Sequence, residues 1–169
     1  MPLFATFLLG IAAGLRSMSA PAAAVTAARS RNSAGGSSPK LIGNMDATTL
    51  FALIAIAEMV ADKLPFMPDR KSPPAFAWRV LSGAVSAAAV TAGESVFPLA
   101  IIVGGVGAAA GTVGGSAMRS KLAEAFGRDF PAAVIEDAVV LALAAMATKA
   151  LESPKAASPV VVQQGPAIV

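Results

Sequence analysis

Apolar residues run through this chain in long blocks, and its polar residues are gathered into a few short interruptions. The first block extends from Pro2 to about Ala28, but GLRSMSAP, residues 14–21, places Gly14, Arg16 and Pro21 inside it. Proline lacks a backbone donor and its ring collides with the preceding turn, so a straight helix through this stretch is not expected. In hydrocarbon such a break survives only where protein or a wet cavity satisfies the freed backbone groups. The pattern therefore predicts a first segment that is broken or re-entrant, with the break facing inward.

Later blocks run from Thr48 to about Asp62, with an N-cap near Asp46 or Thr48, from Val80 to Gly93, from Leu99 to about Met118, and to about Leu151. The last begins at Asp129 and Pro131, a carboxylate beside free N–H groups followed by a proline suited to a first turn. The interruption at 29–46 is Gly/Ser-rich and basic, and that at 63–79 is rich in proline and charge, so both read as polar loops. Phe76 and Trp78 suit the headgroup level of a bilayer. The pattern thus predicts an all-α, polytopic helical membrane protein of four to five segments, one domain over residues 1–151 and a disordered tail over 152–169.

Composition sharpens this picture. Of 169 residues, 56% are hydrophobic and 14% charged, against roughly 25% charged in an ordinary soluble domain. A soluble core of this size could not hide so much apolar surface, so much of it should face lipid. With no Cys, His or Tyr, thiolate and imidazole chemistry and the usual zinc or haem ligands are excluded. The chain carries no sign of a cofactor and is not expected to be an enzyme; a metal is left undecided. The net charge of +3 comes from basic residues scattered between apolar blocks, which speaks against a nucleic-acid partner. Their division between alternate loops is too even to orient the chain. MPLFATFLLGIAAGLR has its first basic residue after the apolar run, the reverse of a secretory signal, so it reads as a retained segment.

Candidate chemistry lies where charge meets the apolar blocks. Glu58 and Asp62 are four residues apart and share one helix face near its negative end, with Lys63 offsetting them. Asp62 and Lys63 also fit a plain interfacial position with lysine snorkelling, whereas Glu58 lies a turn deeper. Glu136 and Asp137 diverge by about 100° on a helix, so one should look into the bundle or pair with Arg16 or Arg119. Arg16 either pairs with Glu58 or Glu136 or, with free backbone groups of the break, holds an anion. Ser17 and Ser19 suit the satisfaction of broken backbone bonds. Gly10 and Gly14, and Gly107, Gly111 and Gly115, form four-residue ridges that admit close helix contact. Arg16-Ser17 and Arg119-Ser120 each end a Gly-rich apolar stretch and precede a segment with two carboxylates, which allows an inverted internal repeat.

GLRSMSAPAA, AEMVADKLPFMPDR, RVLSGAV, the Gly-rich stretch ending in Arg119, and IEDAVVLALA together resemble a bacterial membrane-protein family of unknown function, the domain of unknown function 4126. The resemblance covers roughly residues 5–150 and implies a multi-pass protein of the bacterial inner membrane. It carries no activity and assigns no residue a role.

Two functional readings stand. In the first, a small transporter or channel-like protein binds a cation or exchanges protons at Glu58, Asp62, Glu136 and Asp137, with Arg16 balancing charge and Gly14, Ser17 and Pro21 forming the break. In the second, a non-transporting lipid-binding or scaffold protein uses its buried charges as structural pairs, with Lys71 and Arg79 meeting headgroups. The lipid bilayer is the expected partner, a small ion or solute is a further one under the first reading, and a homo-oligomer, dimer or larger, is expected to seal along the glycine ridges.

Overall fold

The structure is a computed structural model that describes residues 2–31, 40–42, 45–61 and 72–152. Among the described residues six helices follow one another: α1 (Pro2–Leu15), α2 (Ser19–Arg31), α3 (Ala47–Ala61), α4 (Pro73–Thr91), α5 (Phe97–Phe126) and α6 (Asp129–Glu152). Between α2 and α3, β1 (Lys40–Ile42) pairs antiparallel with β2 (Met45–Asp46). Among the described residues the fold is helical apart from this short ribbon, which occupies part of the expected 29–46 loop.

The core forms where α1 meets α4, α5 and α6, and the α1–α5 contact is the most extensive in the molecule. Its closeness comes from glycine. A methyl group on Gly14 would run into the Ala108 carbonyl oxygen and one on Gly111 into that of Ile11, while a Cβ at Gly107 would lie 2.7 Å from the Phe7 carbonyl oxygen. The ridges expected to seal an oligomer instead close on each other within one chain, because backbone-to-backbone dispersion is available there without a second copy.

The ends of the elements explain other departures from the sequence pattern. Residues 73–79, expected as loop, form the first turns of α4, because Pro73 and Pro74 occupy initial helical positions where no N–H is needed. The Leu99–Met118 block is extended at both ends, and α5 continues through Arg119 to Phe126, where Gly127 adopts φ 64° and stops it. Asp46 accepts a hydrogen bond from the Thr49 amide at 2.7 Å and so caps α3. The break after Leu15 is present. α5, in contrast, is continuous past its own Arg-Ser pair, so the suggested repeat does not extend to the break.

Among the described residues two helices, α5 and the Asp129–Leu151 part of α6, are long and apolar enough to cross a membrane. Ile102, Val106 and Val113 on α5 and Leu141 and Met146 on α6 present exposed side chains. α1 and the Thr48–Glu58 part of α3 are apolar but shorter.

Candidate functional site

Breaking a helix between Leu15 and Ser19 frees carbonyls on one side and amides on the other. Pro21 is the local reason for the break. In an uninterrupted helix its nitrogen would have to donate to the Ser17 carbonyl, and it has no hydrogen to give. Ending α1 at Leu15 puts Pro21 in the first turn of α2, where proline is tolerated.

The freed groups are then taken up one by one. On the α1 side, Arg79 from α4 donates through Nη1 to the Gly14 carbonyl at 3.0 Å and the Leu15 carbonyl at 2.7 Å. The Thr112 hydroxyl of α5 lies between the Gly14 carbonyl, at 3.1 Å, and the Ala108 carbonyl of its own helix, at 2.8 Å. The Ser19 hydroxyl contacts the Ala12 and Arg16 carbonyls, and Ser82 of α4 donates to the Ser17 carbonyl that Pro21 cannot serve. On the α2 side, the Glu58 carboxylate accepts from the Ser17 amide at 2.9 Å, the Ser17 hydroxyl at 2.8 Å and the Met18 amide at 2.8 Å. Charge follows the helix dipoles: a guanidinium meets the negative end of α1 and a carboxylate the positive end of α2.

Arg16 itself stands between these two ends, fully buried. Its guanidinium forms an ion pair with Asp137 of α6 and reaches the backbone carbonyl of Glu58 at 3.5 Å. Pairing with Asp137 is one of those the sequence allowed for the two adjacent carboxylates; the Glu58 carboxylate is occupied by the amides of the break. Glu136, one residue away and fully buried as Arg16 is, points to α5 and pairs with Arg119 at 3.2 Å. Arg119 also pairs with the exposed Asp129 through Nε at 2.9 Å. The two adjacent carboxylates of α6 thus serve two different arginines, as their angular separation requires.

Of the residues singled out in the sequence, Arg16, Ser17, Glu58 and Asp137 converge at the break with Gly14, while Glu136 belongs to a neighbouring ion cluster. Pro21 acts through the backbone alone. Arg79, expected at headgroup level, is 5% exposed and binds helix carbonyls. Burial follows from its place near the start of α4, beside the end of α1. Asp62 and Lys71 lie outside the described residues, as do Lys63 and nearly all of the C-terminal tail. Ser82 and Thr112 were not singled out in the sequence. For Ser82 a signal existed: Arg79, Ser82 and Ser86 recur at helical spacing on a single face of the otherwise apolar α4.

The cavity beside this polar centre has a different character. Between α1, α5 and α6 runs a groove of about 220 Å³ lined by apolar residues, among them Ile11, Leu15, Gly114, Met118, Val139 and Leu143. Among the described residues no group of three or more carboxylates gathers as a metal site would require.

Residues 3–162 match the family described as domain of unknown function (DUF4126). The chain belongs to that family. No curated protein and no solved structure matches it. Family membership carries no activity with it, so the chemistry of the DUF4126 chain rests on the arrangement just described.

Proposed function

We propose that the chain is a multi-pass protein of the bacterial inner membrane that binds lipid without transporting a solute, and that its buried charges are structural pairs. What carries this reading is the Glu58 carboxylate. Its three hydrogen bonds all go to groups of the helix break, which is what a clamp needs and what a carboxylate free to take up a cation lacks. Asp137 and Glu136 are engaged by Arg16 and Arg119 in the same manner, and the groove beside them has an apolar lining. The exposed apolar faces of α5 and α6 support the membrane location.

Reconstitution tests the reading. Full-length protein in liposomes should pass no protons or alkali cations under an imposed gradient, and Glu58→Gln should lower its thermal stability in detergent. Cation or proton flux that disappears in a stable Glu58→Gln variant would establish transport instead.

A further inference from the structure

The groove between α1, α5 and α6 has the shape of half an amphiphile. From Ala110 to Met118 its α5 wall is apolar, a length of about 12 Å at the usual helical rise. At the Met118 end the character changes within one residue. Arg119 follows directly, and the Glu136 Oε1 oxygen lies 3.8 Å from where a Cβ on the groove residue Gly115 would stand. The exposed basic residues Lys121 and Arg128 belong to the same end of the α5–α6 hairpin.

The level of that end follows from α5 itself. Between Phe97 and Met118 it holds no charged residue, roughly 33 Å of helix, close to the ~30 Å hydrocarbon thickness of a bilayer. Arg119, Lys121 and Glu124 therefore begin where hydrocarbon gives way to headgroups. The groove occupies the half of the bilayer just beneath them, so its open side meets acyl chains and its end meets phosphates.

We infer that this groove is a binding site for one acyl chain of an anionic glycerophospholipid, its phosphate meeting Lys121 and Arg128. The inference rests on the lipid-binding reading and names the ligand class. Gly114 makes the groove accommodating, since the space where its side chain would project is empty to at least 4 Å. A second copy of this chain would have to place a helix, about 10 Å wide with its side chains, where the lining leaves about 220 Å³. A single hydrocarbon chain fits that volume better.

The test uses full-length protein in liposomes containing a phosphatidylglycerol with a photoactivatable diazirine midway along one acyl chain. Crosslinks are expected on peptides of α5 and α6 that line the groove. Gly114→Leu fills the groove without striking backbone, so it should fold and reduce those crosslinks about tenfold or more, the equivalent of two lost methylene contacts. Lys121→Ala with Arg128→Ala should reduce them less and remove the preference for phosphatidylglycerol over phosphatidylcholine. Equal crosslinking in wild type and Gly114→Leu, with unchanged melting temperatures, would overturn the site. So would ready disulfide formation between two copies of a Gly114→Cys variant of this cysteine-free chain, which would make the groove a dimer contact. Neither outcome bears on the absence of solute flux, so the site and the non-transporting reading fail separately.

Discussion

Two Arg-Ser pairs follow Gly-rich apolar helices in this chain, and they meet opposite fates. Just before Arg16 the helix stops; past Arg119 it runs on for about two more turns to Phe126. Pro21 follows the first pair, whereas no proline occurs between Ser120 and Phe126. The surroundings differ as much as the sequence. Around Arg16 the neighbouring helices supply Arg79, Ser82, Thr112 and Glu58, which are donors and an acceptor for broken backbone. Around Arg119, α6 offers only carboxylates to the side chain. A helix break in such a core is thus a joint product: proline makes it necessary locally, and side chains from α3, α4 and α5 make it tolerable.

The largest expected effect concerns the arginines. Arg16→Met leaves the Asp137 carboxylate without its guanidinium beside a fully buried position, and should cost about 3–5 kcal/mol of stability. Arg119→Met should cost as much, ~3–5 kcal/mol, because Asp129 can turn to water but the fully buried Glu136 carboxylate cannot. Chemical unfolding in a mild detergent compares them. If Arg119→Met proved harmless, the buried Glu136 carboxylate would not depend on its guanidinium.

Next in size is the clamp. Glu58→Gln keeps one oxygen for Ser17 but sets an NH2 group against the Met18 amide, so a loss of about 2–3 kcal/mol is expected. Ser82→Ala should cost about 1–2 kcal/mol, since it leaves the Ser17 carbonyl without its hydroxyl donor. Hydrogen exchange read by mass spectrometry distinguishes the two. Glu58→Gln should speed exchange of the Ser17 and Met18 amides, whereas Ser82→Ala should leave those amides protected. Fast exchange in both variants would mean that the break opens as a unit.

How much of this the sequence disclosed varies with how local the cause is. The break was legible because proline acts on its own four-residue neighbourhood, and the burial of Glu136 was legible from the apolar block around it. Asp46 was legible as the cap of α3 for the same local reason. Partner choice was not. Whether Arg16 meets Glu58, Glu136 or Asp137 depends on how far α3 and α6 are rotated about their axes, and nothing within a helix fixes that. Arg79 misled for a related reason: a basic residue at the start of an apolar helix suits a headgroup equally well, until the end of α1 is known to lie beside it. The prolines at 73 and 74 look alike in a loop and in a first turn, so the start of α4 was hidden too.

The smallest effect is the most discriminating for the comparison between the two Arg-Ser pairs. Pro21→Ala restores the N–H that a continuous helix would need, yet the Gly14 and Leu15 carbonyls are still held by Arg79 and the Ser17 and Met18 amides by Glu58. The break should therefore persist, with stability changing by less than about 1 kcal/mol, much of it through the greater freedom of the unfolded chain. Combining Pro21→Ala with Glu58→Gln removes the local cause and one side of the clamp together. In that double variant the helix can extend across residues 16–19, and the added amide protection there should exceed the sum of the single changes. Additive effects would mean that α4 and α5 alone hold the break open, and that α3 contributes stability at this site without helping to determine where the helix ends.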